Sequence, residues 1–341
     1  MSKQNVTHGK IVNSDFTPPW WAKNRHVQTI FPRFFQKRKP LTYRRQRLTL
    51  PDGDFIDLAW GLDVQEPTGL VVIFHGLEGS VKSHYANDIM AECQQQGWLP
   101  VLMHFRGCST EPNLTTRAYH SGETEDALFV LDWLSKQFPE LPKVAIGFSL
   151  GANMLLKLLG ENPRQSFVQA AVAVSPPLRL AECAKSINQG FSRLYQQHLM
   201  RSMVGNLKEK MDKVDFSSVL KLDKDQLSVL KTFRDFDQHV TAPLHGFDGA
   251  DDYYRKCSAI HYLKTIMTPS LILHAKDDPF MNEKVVPEAE QLSPMVCMEL
   301  SEKGGHVGFL QGKPWRSEVW MHGRITAFIA AHLCRQQQET A

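Results

Sequence analysis

The sequence predicts an α/β protein: a mostly parallel sheet with helices on both faces and one helical insertion. Three observations carry this. Short apolar runs with a β-branched bias alternate with amphipathic helical patterns between residues 70 and 174. The alternation lapses over residues 177–248, which are charged and helix-rich, and resumes at residue 270. Residues 143–160 read as a strand, a tight turn with a serine in it, and a helix. Parallel strands joined by right-handed crossovers place functional groups in loops at the strands' carboxyl ends.

Residues 1–40 are predicted to be an irregular arm packed on the core, with Trp20 and Trp21 against the surface or near its mouth. Residues 44–50 and 55–60 flank Pro51-Asp52-Gly53-Asp54 and read as a hairpin. Strand 70–74, helix 85–96 ended at Gly97, strand 99–103 and helix 123–137 follow. Strand 144–146, helix 150–159 and strand 169–174 complete the first part of the core, residues 41–176. The insertion, 177–248, is expected to be a helical cap between two strands. The second part of the core, 249–341, holds strand 270–274, a helix near 284–292, strand 295–300 and a closing amphipathic helix over 317–333. That makes an eight-stranded sheet.

Bulk properties narrow the function. A chain of 341 residues with 42% hydrophobic content can bury a sizeable core. Its 39 basic and 36 acidic residues leave a net charge of +3, so neither nucleic acid nor an anionic membrane is expected as the main partner. The locally basic stretch 33–47 reads as a solvated surface. Cys93, Cys108, Cys183, Cys257, Cys297 and Cys334 show no Cys-x-x-Cys spacing, so neither a disulfide framework nor a zinc knuckle is suggested. The N-terminal Met-Ser-Lys-Gln-Asn is polar, and no apolar run approaches membrane-spanning length. The expectation is a cytoplasmic protein without stable membrane insertion; the oligomeric state is left open.

The chemistry centres on Gly147-Phe148-Ser149-Leu150-Gly151. A tight strand–turn–helix junction leaves no room for side chains two before and two after the serine, and glycine at both places lets Ser149 adopt a strained, exposed conformation. A serine hydroxyl needs a base within hydrogen-bond reach and a carboxylate to orient that base. Strand 270–274 runs into Ala275-Lys276-Asp277-Asp278-Pro279, and strand 295–300 into Gly304-Gly305-His306. The candidates are therefore Ser149 as nucleophile, His306 as base, and Asp277 or Asp278 as acid, since adjacent residues cannot both face the histidine. An oxyanion hole needs two backbone N–H donors. Leu150, after the nucleophile, and Leu77, in the loop His75-Gly76-Leu77-Glu78-Gly79-Ser80, are placed to supply them. The His75 side chain reads as a loop brace. His274, Asp277, Asp278 and His306 lack metal-site spacing, so no metal and no cofactor are expected.

With these residues in hand, the chain resembles the α/β-hydrolase superfamily. Within it the chain is similar to the fourth α/β-hydrolase family, which includes mammalian lipases and yeast medium-chain esterases. The resemblance rests on His26-Val27-Gln28-Thr29, residues 75–80, Phe105-Arg106-Gly107-Cys108-Ser109, residues 147–153, Asp252-Tyr253-Tyr254-Arg255, residues 277–280 and residues 304–309. It implies an α/β-hydrolase fold and a serine hydrolase that cleaves carboxylic esters of short to medium acyl chains. In such hydrolases the acid lies four residues after the small or histidine residue that closes its strand. Counted from His274, that residue is Asp278, so the implied triad is Ser149, Asp278 and His306. The implied partner is a small acyl-ester substrate. His104 stands where this branch is expected to carry asparagine, which touches the pocket wall. Arg106 is expected as an ion-pair brace and Cys108 as a packed thiol. A thioesterase or acyltransferase on the same triad is the alternative, and a non-catalytic binding relative the other.

Overall fold

A computed structural model describes residues 7–62 and 64–333. The first five residues and Cys334, both used above, lie outside that range. In chain order the elements are β1 (Lys10–Asn13), α1 (Arg25–Phe34), β2 (Tyr43–Thr49), β3 (Phe55–Gly61), β4 (Leu70–Phe74), α2 (His84–Gln95) and β5 (Leu99–Met103). Then come α3 (Glu125–Gln137), β6 (Lys143–Phe148), α4 (Leu150–Glu161), β7 (Ala170–Val174), α5 (Leu180–Ile187) and α6 (Ser192–Met211). After two short helices, α7 (Phe233–Phe236) and α8 (Ala242–Leu244), follow α9 (Ala250–Cys257), β8 (Ser270–Ala275) and β9 (Val296–Ser301). The hairpin β10 (Leu310–Lys313) and β11 (Arg316–Val319) leads into α10 (Trp320–Leu333).

The main sheet has the order β1-β9-β8-β7-β6-β4-β5-β3-β2. From β1 to β5 every pairing is parallel, while β3 runs antiparallel to both β5 and β2. Period-two alternation sorts the strands onto two cores. Leu70, Val72 and Phe74 pack with Leu131 of α3 and Leu155 of α4; Val71 and Ile73 face Ile89 of α2 and Ile325 of α10. The central strands β4 and β6 are buried along their whole length, which is why they read as continuous apolar runs.

Several expectations need correction. The sheet has nine strands, not eight, because β1 pairs with β9 in parallel, Lys10 opposite Cys297. β1 is a four-residue edge strand with mostly exposed side chains, so it carries no apolar alternation. The arm is not irregular: α1 begins where the Asn24 side chain accepts the His26 N–H, and it contains Pro32. Trp21 donates its ring N–H to Gly312 and packs on Phe31, whereas Trp20 is solvent-exposed. The helix expected near 284–292 is two 3-10 turns, Glu283–Val285 and Ala289–Gln291. Pro287 holds Val286 extended between them. The closing helix starts at Trp320, after β11.

Residues between β7 and β8 form α5 to α9, with α6 the longest helix. Met200, Leu207, Phe216, Leu227 and Val240 make a separate small core there.

Several buried imidazoles weaken the fold in acid, His75 and His322 among them. His75, at the end of β4, and His322, in α10, are each lowered to about 3, chiefly by burial. The unfolded chain takes up these protons near pH 6.5 and the folded chain only near pH 3, so the stability is full above 6.5 and is lost as pH falls toward 3. Each contributes about 2 kcal/mol of loss by pH 5. Urea unfolding at pH 7.5 and pH 5.0 should show this drop, and His322→Leu should reduce it; a pH-independent midpoint over that range contradicts it.

Candidate active site

Ser149 sits in the turn from β6 to α4 with φ 50° and ψ −116°, a conformation that disfavours any side chain. Its neighbours explain why the turn tolerates only glycine on either side. A Cβ on Gly147 would lie 2.6 Å from Ala152 Cα and from the Gly151 carbonyl oxygen, and one on Gly151 would lie 2.6 Å from the Phe74 carbonyl oxygen. The second clash is with the end of β4, not with the other glycine. The N-terminus of α4 therefore sits directly on the carboxyl edge of the sheet.

Three strand ends converge there. His306 Nε2 lies 2.9 Å from Ser149 Oγ, and His306 Nδ1 lies 2.7 Å from Asp278 Oδ2. Asp278 is fully buried, and its other oxygen accepts the Phe280 N–H at 2.8 Å. The carboxylate at Nδ1 calls for a proton on that nitrogen, leaving Nε2 free to accept from the serine. Asp277 faces away and accepts the Gly305 N–H at 3.0 Å, so it holds the histidine loop from outside. The Phe280 ring stacks on the imidazole at 4.1 Å between centroids.

The Leu77 and Leu150 N–H groups donate to no acceptor among the described residues, and both residues line the same cavity as Ser149 and His306. The groups on either side of Leu77 are spoken for. Gly76 N–H donates to Tyr85 Oη at 2.8 Å and Glu78 N–H to Tyr119 Oη at 2.9 Å. His75 Nε2 accepts the Phe105 N–H at 3.1 Å while Nδ1 donates to the Gly76 carbonyl at 2.7 Å. The imidazole thus braces the loop as a neutral ring. The cavity has a volume of about 450 Å³. Much of its wall is apolar, with Leu180 and Ile187 of α5, Met203 and Leu207 of α6, and Phe236 and Val240 beyond them.

The remaining predicted residues have structural partners. Arg106 is buried and forks onto both oxygens of Asp126 at 2.7 Å, with Asp52 and Asp54 on its third nitrogen. Burial pushes the Cys108 thiol up, which makes it a poor nucleophile. His104 does not line the cavity: it accepts the Val81 N–H at 3.3 Å and bonds the Asp57 carbonyl at 3.1 Å, so the expected effect on the pocket wall is absent. His274 is buried beside the strand end, and its Nδ1 has no hydrogen-bond partner among the described residues.

One cluster has metal-like composition. His120, Glu123 and His245 bring one ligand atom each within 4.8 Å of the others. Both Glu123 oxygens already accept from Arg117 at 2.8 Å, and His120 Nδ1 accepts the Gly122 N–H. Burial chiefly holds both imidazoles low, His245 at about 4; His120 is lowered next by the neighbouring His245 and then by Lys157 and Arg117, and His245 by Arg117 and Lys210. His245 Nε2 has no hydrogen-bond partner among the described residues, but with Arg117 on both Glu123 oxygens and cations beside the imidazoles the group is electropositive, which disfavours a divalent cation.

The arm residues His26-Val27-Gln28-Thr29 matter more than the sequence revealed. The His306 N–H donates to Thr29 Oγ1 at 3.0 Å. The fully buried Gln28 amide accepts the Leu310 N–H at 2.6 Å and donates to the Ala22 carbonyl at 2.7 Å. Together they clamp the loop 304–310, in which Val307 and Phe309 have positive φ. In the sequence these four residues stood only as part of the family resemblance, with no role assigned to any of them.

Residues 69–313 match a family model described as the alpha/beta hydrolase fold. The chain is 45% identical over 324 residues to "Putative esterase YheT" of Escherichia coli K12, covering 94% of each chain. It is 28% identical over 334 residues to "Phospholipase ABHD3" of Mus musculus, covering 95% of this chain and 80% of that one. Among solved structures, the Pyrococcus furiosus esterase Pf2001 superposes with a TM-score of 0.56 at 17% identity, over 94% of this chain and 100% of that one, a likeness of fold.

Removing the clamp should loosen the histidine loop. Gln28→Ala leaves the buried Leu310 N–H without an acceptor and should cost about 3 kcal/mol; Thr29→Val should cost about 1 kcal/mol. Urea denaturation of the two variants checks the order, and an unchanged midpoint for Gln28→Ala contradicts it.

Proposed function

The chain belongs to the alpha/beta hydrolase fold family, and on that premise we propose that it is a serine hydrolase of carboxylic esters with short to medium acyl chains. The observation that carries this reading is the relay Ser149–His306–Asp278, with spacings of 2.9 and 2.7 Å. Its relatives are of esterase and lipase type by name.

In the proposed cycle His306 Nε2 takes the Ser149 proton as the hydroxyl oxygen attacks the ester carbonyl. The tetrahedral oxyanion accepts hydrogen bonds from the N–H groups of Leu77 and Leu150, whose lack of other acceptors supports that role. The imidazolium then gives its proton to the departing alcohol oxygen, the C–O bond breaks, and an acyl-serine remains. Water, deprotonated by the same ring, releases the acid and restores Ser149. Asp278 keeps the proton on Nδ1 and stabilises the cation that forms between the steps. No cofactor is required by this chemistry.

The apolar cavity, of a size suited to a small ligand, supports an acyl chain as the group it holds. Residues 177–248 are proposed as a cap whose inner wall sets acyl length. Among the described residues no helix is long and apolar enough to cross a membrane, and five cysteines are unpaired. We place the protein in the cytoplasm on this basis.

Ser149→Ala should lower turnover of a short p-nitrophenyl ester roughly 10³- to 10⁶-fold while leaving the melting temperature within a few degrees. Unchanged hydrolysis removes Ser149 from its role. A panel of matched oxygen ester, thioester and alcohol acceptor should favour the oxygen ester; faster thioester cleavage or acyl transfer overturns the assignment of substrate class.

A further inference from the structure

Glu78 follows the proposed oxyanion donor Leu77 and has φ +54°, although its side chain disfavours that region. Its carboxylate is held by neutral donors from two directions. Oε1 accepts from Tyr119 Oη at 2.8 Å, the same hydroxyl that accepts the Glu78 N–H. Oε2 accepts from Ser202 Oγ and from Asn206 Nδ2, each at 2.6 Å. Tyr119 is itself stacked flat on Phe105. No cation lies within 4 Å of Glu78 among the described residues.

Ser202 and Asn206 belong to α6. With Lys210, which donates to the Arg117 carbonyl at 2.7 Å, they form a stripe at spacing four along one face of that helix. The stripe seats α6 on the loops around the site, and Glu78 is the point where it touches the loop of Leu77. The Leu77 N–H lies between two peptides pinned by tyrosine hydroxyls, and one of those peptides is locked through the Glu78 ring of bonds.

We propose that Glu78 is a positioning residue that aims the Leu77 N–H at the reacting carbonyl only while α6 is seated through Ser202 and Asn206. The inference rests on the hydrolase reading above. Cap closure and completion of the oxyanion hole are then one event, and turnover depends on α6 even for substrates too small to touch it.

The test uses p-nitrophenyl acetate, whose acyl group is too short to need the cap wall. Glu78→Ala should lower kcat about 30-fold, less than the full loss of an oxyanion donor, with KM within about twofold. Glu78→Gln retains hydrogen-bonding capacity, because Ser202 can accept and Asn206 can turn over, and should regain most of the lost turnover. The pair Ser202→Ala/Asn206→Ala should lower kcat in the same direction. Adding Glu78→Ala to that pair should cost no more than Glu78→Ala alone, since all three act through one route. Wild-type kcat in Glu78→Ala overturns the proposal, as does a loss seen only as raised KM on longer esters. Wild-type kcat in the α6 pair overturns the coupling to the cap. If Glu78→Ala fails to fold, the α6 pair decides, because Asn206 is exposed and Ser202 half-buried. Absence of ester hydrolysis in the wild type would count against the hydrolase reading itself, a different outcome from intact wild-type activity with insensitive variants.

Discussion

The imidazole of His306 is held at both nitrogens, by Ser149 on one side and Asp278 on the other, and most of the architecture follows from that constraint. The three residues are far apart in the chain. They meet because β6, β8 and β9 run parallel within one sheet and end at the same edge. A parallel sheet turns distance in sequence into proximity at its carboxyl edge, so the relay needs no long-range element beyond the fold. What it does need is three loops held still. Ser149 is forced into a strained turn by α4 pressed onto β4. Asp278 is fixed by the Phe280 N–H, and the histidine loop by Thr29, Gln28 and Asp277.

The legible parts of the site were those governed by local sterics. Glycine at 147 and 151 has few reasons to flank a serine between a strand and a helix, so the turn could be read directly. The carboxylate that meets the imidazole was harder, because Asp277 and Asp278 are chemically identical and adjacent. Only the path of the chain after β8 turns one toward the imidazole and the other toward the Gly305 N–H. The arm was misread for a related reason. β1 is stabilised by pairing with β9, which leaves no periodic trace in a short exposed strand, whereas α1 does carry apolar residues at helical spacing, Val27, Ile30, Phe31 and Phe34, in a pattern interrupted by Pro32. Pro287, in the middle of the expected helix, removes a backbone donor and leaves two 3-10 turns in its place.

Within the segment between β7 and β8, Met200, Leu207, Phe216 and Val240 belong to a separate apolar core, while Leu178, Ala259, Ile260, Leu263 and Ile266 join the main one, and Tyr195 packs on Phe280. Tyr195 meets His26, Ser192 meets the Pro279 carbonyl, and Ser202 and Asn206 meet Glu78. The loops this segment touches are those carrying Asp278, the histidine clamp and the Leu77 N–H.

Rapid acid quench during turnover of a medium-chain ester, followed by peptide mass spectrometry, tests covalent catalysis most directly. An added acyl mass on the peptide containing Ser149 is the expected result. Steady turnover with no adduct there, or with the adduct on another residue, would contradict a nucleophilic role for that serine.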